Sequence, residues 1–134
     1  MVARDGEGAT KLVTVTVTGA ASTTDAEKAA FTIANSPLVK TALFGNDANW
    51  GRVAGALGRS GAELDPETYD IDFAGIAVCR AGEGVPFDEE QALDALKQPE
   101  VTIEVNLHVG EDTATVWTCD LTYEYVRINA EYRS

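Results

Sequence analysis

The chain has 134 residues, of which 45% are hydrophobic and 24% are charged, and this composition is typical of one folded domain with a buried core. Its formal net charge of −12 argues against binding to nucleic acid or to an anionic membrane surface, because both require cationic patches. Residues 1–8 contain no apolar segment, and the longest charge-free run, 12–24, is short and rich in threonine. The sequence therefore indicates neither a secretory signal nor a membrane span, and we expect a cytoplasmic protein.

The few cysteines and the single histidine limit the metal and redox chemistry of the chain. Cys79 and Cys119 lie in apolar segments typical of strands, so buried free thiols are favoured over a disulfide. His108 alone provides no zinc-binding spacing, and its place on the polar face of a strand is more typical of a surface residue than of a catalytic one. Asp70 and Asp72 share one strand face and could hold a cation, although two solvated carboxylates are commoner. No metal site is therefore predicted.

The first two predicted elements are a strand and a helix. Valine and threonine alternate over residues 13–18, and this alternation of β-branched residues predicts a strand over 11–19. Thr24 and Glu27 have the spacing of a capping box, which predicts a helix over 25–35.

Residues 38–61 are compatible with a ligand site or with a purely structural loop. Its apolar residues predict a short strand over Thr41–Phe44, followed by a tight loop and a helix that Asn49 caps and Gly58 ends. Ligands tend to bind at the carboxyl ends of strands in open α/β sheets. The simpler interpretation, which the spacing favours, is that Trp50 anchors the loop to the core and Arg52 pairs with a carboxylate.

The following segment predicts a bulged strand and another helix. Alternation over 69–80 changes phase at Gly75, which indicates a β-bulge. Asp88 is placed to cap a helix that ends before Pro99.

The last part of the chain predicts two strands and a helix. Residues 101–109 alternate strictly between apolar and polar side chains, and the turn at 110–112 leads into a second strand over 113–119. The short loop predicts that these two strands form an antiparallel hairpin, and a further helix is predicted after Asp120 or Thr122. The fold class is therefore α/β, or α+β, with a mixed sheet, helices and one antiparallel C-terminal hairpin.

Spacing alone reveals no catalytic set. The sequence has no Gly-x-Ser-x-Gly elbow, and its one histidine has no obvious nucleophile beside it. On residue patterns alone, the chain is an acidic α/β domain without an identifiable activity.

Five stretches in order resemble one family, the ornithine acetyltransferases, also called glutamate N-acetyltransferases, of arginine biosynthesis. The resemblance extends from Ala3 to Ser134, and it implies one domain over residues 1–134 that is similar to the C-terminal domain of the β chain of these enzymes. The five stretches are 5–11 (DGEGATK), 35–42 (NSPLVKTA), 45–52 (GNDANWGR), 119–123 (CDLTY) and 125–134.

The resemblance implies acetyl transfer from N-acetylornithine to glutamate. In this family a precursor cleaves itself before a threonine, which becomes the N-terminal nucleophile of the β chain and carries the acetyl group. The present chain resembles the part of the β chain after that threonine, and Thr10 and Thr41 lack the context of the nucleophile, so no catalytic residue is predicted here. The implied partners are the α chain and the N-terminal part of the β chain, in a heterotetramer of two α and two β chains. No cofactor is implied, although acetyl-CoA serves some relatives as a substrate.

Three substrate-binding residues carry over by motif: Glu7 of DGEGATK, Asn129 of Ile-Asn-Ala, and the terminal Ser134. A carboxylate such as Glu7 can pair with an ammonium group of ornithine, and Asn129 can both donate and accept hydrogen bonds to an amino-acid head group. Trp50 and Arg52 lie in a stretch that resembles the family, but a structural role is assigned to them.

Three hypotheses follow. The first is that the chain is part of an acetyltransferase, inactive alone, with an exposed apolar face for the missing parts. The second is a stand-alone binding or scaffold domain with the same fold and no chemistry. The third and weakest is an independent hydrolase that uses His108.

Overall fold

A computed structural model describes residues 11–119, in which six strands form one sheet and four helices accompany it. The helices are α1 (Thr23–Ala34), α2 (Pro37–Phe44), α3 (Trp50–Arg59) and α4 (Glu89–Leu96). The strands are β1 (Leu12–Ala20), β2 (Asp70–Phe73), β3 (Ile76–Arg80), β4 (Glu83–Gly84), β5 (Glu100–Asn106) and β6 (Asp112–Cys119).

The sheet is mixed, with the strand order β4-β3-β2-β5-β1-β6. Strand β1 runs parallel to β5 and antiparallel to the edge strand β6, and the remaining pairs are antiparallel. Val15, in the middle of β1, lies opposite Ile103 on one side and Val116 on the other. The predicted mixed sheet is therefore confirmed, and of the two predicted classes, α/β and α+β, the structure has the second.

The predicted C-terminal hairpin is wrong. Strands β5 and β6 are not neighbours, because β1 lies between them. The backbone N–H groups of Leu107 and Val109, in the connection after β5, donate to the Thr18 and Gly19 carbonyls at the end of β1 at 2.9 Å each. The connection between β5 and β6 thus crosses the end of β1. It is short enough for a hairpin, but it spans the width of one additional strand.

The predicted strand over Thr41–Phe44 is also wrong, because this segment is the second half of α2. Ser36 caps α2 through its hydroxyl, which accepts from Val39 N at 3.2 Å. Val39, Ala42 and Leu43 are the buried residues of α2, and their spacing of three and four residues is helical.

Two further details differ from the prediction. Gly58 lies inside α3, which extends to Arg59, although Asn49 caps this helix as predicted. The phase change at Gly75 is a tight turn between β2 and β3 and not a bulge, because Ala74 and Gly75 both have positive φ values, 53° and 81°. Two consecutive left-handed residues are typical of the turns that join adjacent antiparallel strands.

The helices cover one face of the sheet. The valines of β1 are fully buried, and α1 packs on β1, β6 and α3 through its alanines and Ile33. The alternate residues of β1, Thr14, Thr16 and Thr18, are partly exposed on the other face. No helix within residues 11–119 has the length and apolar character needed to cross a membrane.

Candidate functional site

One end of the sheet is the place where β1 begins and β6 ends. Leu12 and Cys119 are register partners on these two antiparallel strands. Residues directly opposite in such a pair have Cα atoms about 4.5–5.5 Å apart. The segment that precedes Leu12 and the segment that follows Cys119 therefore attach to the sheet side by side.

The three substrate-binding residues predicted by motif belong to these two segments. Glu7 precedes β1, and Asn129 and Ser134 follow β6, so all three lie outside the described residues. Their role stays a prediction. What the structure provides is the common point at which the two segments join the sheet.

Lys11 occupies a buried position at this end of the sheet, with 6% of its surface exposed. Its Nζ donates to the carbonyl oxygen of Leu43 at 2.7 Å, to Oδ1 of Asn46 at 2.6 Å and to the carbonyl oxygen of Leu96 at 2.5 Å. Leu43 and Leu96 belong to the last turns of α2 and α4, where helix carbonyl groups carry partial negative charge. These acceptors offset the desolvation of the ammonium. We call this arrangement the Lys11 cradle.

A second lysine holds the other strand end. The Nζ atom of Lys40, on α2, donates to the hydroxyl of Thr118 and to the carbonyl oxygen of Cys119, the latter at 3.1 Å. Helix α2 therefore contacts both attachment points, through Lys40 on β6 and through Leu43 on Lys11. Four stretches that carry the family resemblance meet here, since each supplies one of the contacting residues.

The loop after α2 connects the Lys11 cradle to a surface cleft of about 820 Å³. Asn46, in this loop, binds Lys11 and also lines the cleft. Trp50 and Phe87 contribute apolar surface to the cleft, and Asp47 and Glu90 contribute carboxylates. A cleft of this volume with mixed lining is of the size that accepts small molecules.

Trp50 and Arg52 have structural roles, as predicted. Trp50 packs against the hydrophobic core and lies so close to β4 that a Cβ atom at Gly84 would approach its Nε1 to 2.9 Å. The predicted carboxylate partner of Arg52 is wrong, because its guanidinium donates to the carbonyl oxygen of Leu38 at 2.9 Å. This bond joins α3 to α2.

The acidic residues of β2 are paired two strands away from β1, beyond β5. Nε2 of His108 lies 2.7 Å from Oδ2 of Asp70, and Arg80 Nη1 lies 2.7 Å from Oδ1 of Asp72. Burial acts to raise the pKa of Asp70, but hydrogen bonds from the Ala81 N–H and from His108 outweigh it and lower the pKa overall. In the part of the chain that the structure describes, no group of three or more His, Cys, Asp or Glu side chains is placed to hold a metal ion.

Both cysteines are buried, as predicted. Burial raises the pKa of the Cys79 thiol, which keeps it protonated and unreactive near neutral pH.

Comparisons with known proteins agree with the resemblance seen in the sequence. The sequence model of the ArgJ family matches residues 1–134. The arginine biosynthesis bifunctional protein ArgJ of Symbiobacterium thermophilum is 55% identical over 133 residues, which are 99% of this chain and 33% of the relative. The protein of the same name from Oceanobacillus iheyensis is 52% identical over 134 residues, which are 100% of this chain and 33% of the relative. The present chain thus spans about a third of the length of these relatives.

A solved structure shows the same fold. The crystal structure of the arginine biosynthesis bifunctional protein ArgJ from Bacillus halodurans superimposes with a TM-score of 0.85 at 53% sequence identity, over 98% of this chain and 62% of that chain. Together with the family match over the whole sequence, this similarity establishes that the chain belongs to the ArgJ family.

Proposed function

We propose that this chain forms part of the substrate site of a glutamate N-acetyltransferase, which moves an acetyl group from N-acetylornithine to glutamate in arginine biosynthesis. The observation that carries the proposal is the pairing of Leu12 with Cys119. It brings together the attachment points of the two segments that contain Glu7, Asn129 and Ser134. These three residues bind substrate in the proposal.

The acetyl-accepting threonine belongs, in this proposal, to a part of the enzyme outside this chain. The partners are the α chain and the N-terminal part of the β chain, in a heterotetramer located in the cytoplasm. No cofactor is required, because a threonine hydroxyl carries the acetyl group between the two substrates, and acetyl-CoA would enter only as an alternative donor.

Exposed apolar side chains support the proposal that another part of the enzyme packs against this chain. Within residues 11–119, α2 exposes Leu38 by 54% and Phe44 by 63%, and β6 exposes Trp117 by 57%. Helix α2 is also the helix that contacts both attachment points. Large apolar side chains beside a proposed site are typical of surfaces that another part of a protein covers.

The experiment joins this chain to the residues that precede the matched region in the Symbiobacterium thermophilum relative. We expect acetyl transfer from N-acetylornithine to glutamate by this chimera and none by the present chain alone. Glu7→Gln should raise the KM for N-acetylornithine at least tenfold, because the carboxylate that pairs with the ammonium is lost. Glu63→Gln, at an exposed position within the same chain, is the matched control.

Two results would contradict the proposal. Transfer by the chain alone would show that it contains its own nucleophile. A folded, assembled chimera without transfer would favour the alternative, a binding or scaffold domain that retains the fold alone. For the hydrolase hypothesis, a His108→Ala variant that retains the full hydrolytic activity of the parent would exclude a catalytic role of His108.

A further inference from the structure

The two edges of the sheet differ in length and in charge. One edge strand, β4, has only two residues, Glu83–Gly84, and the first of them carries a carboxylate. The other edge strand, β6, has eight residues, and none of its positions after Asp112 is charged. Edge strands of soluble proteins are commonly short, charged or covered, because their outward N–H and C=O groups can pair with another strand. The long uncharged edge of β6 is therefore typical of a strand that pairs with another chain.

The hydrogen bonds of β1 show which residues of β6 direct their backbone groups outward. Successive residues of a strand direct their N–H and C=O groups to opposite sides. Leu12 N donates to the Pro99 carbonyl oxygen at 2.8 Å, and the Thr18 carbonyl oxygen accepts from Leu107 N at 2.9 Å. The even-numbered residues of β1 thus face β5. The valines of β1 face β6, and they lie opposite the even-numbered residues of that strand.

Three residues of β6 consequently direct their N–H and C=O groups away from the sheet: Thr113, Thr115 and Trp117. All three are exposed, and among the described residues β6 has no strand neighbour other than β1. The carbonyl oxygen of Cys119, which points the same way, already accepts from Lys40. The backbone groups that can pair with another strand therefore belong to these three residues, with Thr115 in the middle.

We propose that β6 pairs antiparallel with β6 of a second copy of this chain, about a two-fold axis at Thr115. Thr115 then lies opposite Thr115 of the second copy, and Thr113 lies opposite Trp117 of the second copy. Each opposite pair exchanges two backbone hydrogen bonds. A two-fold contact of this kind closes on itself, because the same surface serves both copies. The sheets of the two copies form one continuous sheet, and the proposal does not depend on the function proposed above.

The distribution of charge favours a second copy as the partner. At a net charge of −12, most of the surface repels another copy, whereas residues 113–119 are uncharged. The proposed register also places Asp112 opposite Thr118 of the second copy, and the hydroxyl of Thr118 accepts from Lys40. A carboxylate at the beginning of one β6 thus comes beside an ammonium at the end of the other, once on each side of the axis. A parallel pairing would instead place the two carboxylates next to each other.

The side chains on both faces of the proposed pair permit close approach. On the open face, the threonine at position 113 lies against Trp117, whose side chain is 57% exposed in the single chain. Pairs of an aromatic and a β-branched residue stabilise adjacent strands. On the face that the helices cover, Ala114 lies opposite Val116, and both are only partly buried although they pack against the core. A second copy therefore covers apolar surface on both faces.

Sedimentation velocity of the full chain tests the contact. We expect a species of twice the 14.2 kDa of the chain at micromolar concentration. Thr115→Lys places two like charges opposite each other at the axis and should raise the Kd of the dimer at least tenfold. Thr102→Lys, on the same face of the sheet but on β5, is the matched control and should leave the Kd within twofold. Since both substitutions reduce the negative charge equally, a loss of association with Thr115→Lys alone can arise only from its position.

A cysteine at the axis tests the register. Opposite residues that exchange two hydrogen bonds have Cα atoms about 5.5 Å apart, which a disulfide can span. Thr115→Cys should therefore give a covalent dimer under oxidation, which dithiothreitol returns to the monomer on a denaturing gel. Thr102→Cys should stay monomeric on the same gel, and the native cysteines are buried.

Three results with the full chain would each overturn the proposal. They are a parent that stays monomeric up to near-millimolar concentration, a dimer that both lysine variants weaken equally, and a Thr115→Cys variant that forms no covalent dimer. In the chimera described above, a dimer that Thr115→Lys leaves unchanged would show that another part of the enzyme covers β6, and it would overturn the proposal as well. If Thr115→Lys does not fold, the cysteine variant decides. None of these measurements uses acetyl transfer, so this proposal and the proposed function can fail separately.

Discussion

Two regions of the sheet, the beginning of β1 and the strand β2, hold their charged side chains in different surroundings. Among the described residues, the buried ammonium of Lys11 at the beginning of β1 donates to oxygen atoms of α2, α4 and Asn46. On β2, Asp70 and Asp72 are paired with His108 and Arg80, whose side chains are 44% and 43% exposed. A buried charge without its acceptors is far more costly than an exposed charge without its partner, because water replaces only the exposed contact.

The difference indicates where the fold depends on single residues. The Lys11 cradle joins three parts of the chain that are distant in sequence, since Leu43 and Leu96 lie 32 and 85 residues from Lys11. The pairs on β2 join that strand to β3 and to the connection after β5, which the sheet already holds together. Substitutions of the charged residues in these two regions should therefore differ by several kcal/mol in their effect on the free energy of unfolding. The following four predictions test and sharpen this comparison.

Replacing Lys11 should have the largest effect. Lys11→Met removes the donor to two buried carbonyl oxygens and to the part-buried Oδ1 of Asn46, and a buried acceptor costs about 1–3 kcal/mol when left unsatisfied. We expect the free energy of unfolding, measured by urea denaturation, to fall by about 3–5 kcal/mol. Lys28→Met, at an exposed position of α1, should change it by less than about 0.5 kcal/mol. A loss below about 1 kcal/mol for Lys11→Met would show that the cradle is not a main support of the fold.

The next largest loss of stability is expected at Gly110, an uncharged residue that lies against Ala20 at the end of β1. A Cβ atom at Gly110 would lie 2.2 Å from the carbonyl oxygen of Ala20 and 2.8 Å from Cα of Ala21, both backbone atoms. Gly110→Ala should therefore destabilise the fold by about 2–3 kcal/mol in the same urea measurement. Gly58→Ala is the matched control, because a Cβ atom there meets nothing within 4 Å. Inside α3 it should stabilise the fold by about 0.5–1 kcal/mol, and equal effects at the two positions would contradict the clash.

The Asp70–His108 pair should make stability depend on pH. The pKa of Asp70 is lower in the folded protein than in the unfolded chain, so its contribution is complete above the unfolded pKa of about 3.9 and is lost as the pH falls further. We expect the difference in Tm between the parent and Asp70→Asn to be largest at pH 6 and to shrink towards pH 3. Asp94→Asn, at an exposed position of α4, measures the effect of removing one negative charge from a chain of net charge −12. A difference that grows towards pH 3 would reverse the assigned sign.

The smallest effect belongs to the Arg80–Asp72 pair. Exposed ion pairs contribute about 0.2–1 kcal/mol, and salt screens them. Arg80→Gln should therefore lower the free energy of unfolding by less than about 1 kcal/mol at low salt, with no measurable difference at about 1 M NaCl. A loss of stability above about 2 kcal/mol, or one independent of salt, would remove the contrast between Lys11 and the exposed pairs on β2.

Local patterns in the sequence were sufficient for most elements. The valine–threonine alternation of β1 and the strict alternation of β5 reflect strands with one buried face, which is why both were predicted correctly. The apolar run that became α2 was assigned in part to a strand, because a short apolar run fits a buried strand and a buried helix equally well. The caps decide such cases: Ser36 before Pro37 marks the start of α2, as Asn49 marks the start of α3.

Strand order was not predictable from local patterns. A short connection between β5 and β6 favoured a hairpin, but β1 pairs with both strands and separates them. The position of β1 between β5 and β6 depends on pairings between residues such as Val15 and Ile103, which are far apart in the chain. Such pairings require complementary surfaces that no single window of sequence contains.

The candidate site was predicted only in part. Motif resemblance pointed to Glu7, Asn129 and Ser134, and these residues remain predictions. The contacts of Lys11 and Lys40 were missed, because no local pattern identifies the acceptors of a lysine. The one available signal was their membership of the resembling stretches 5–11 and 35–42.

The side-by-side position of Leu12 and Cys119 also means that the order of elements along the chain is not essential to the fold. A linker of a few residues could join these two positions, and the chain could be reopened in an exposed turn such as that at Gly61. We expect such a circular permutant of residues 11–119, which retains Lys11, to form the same sheet.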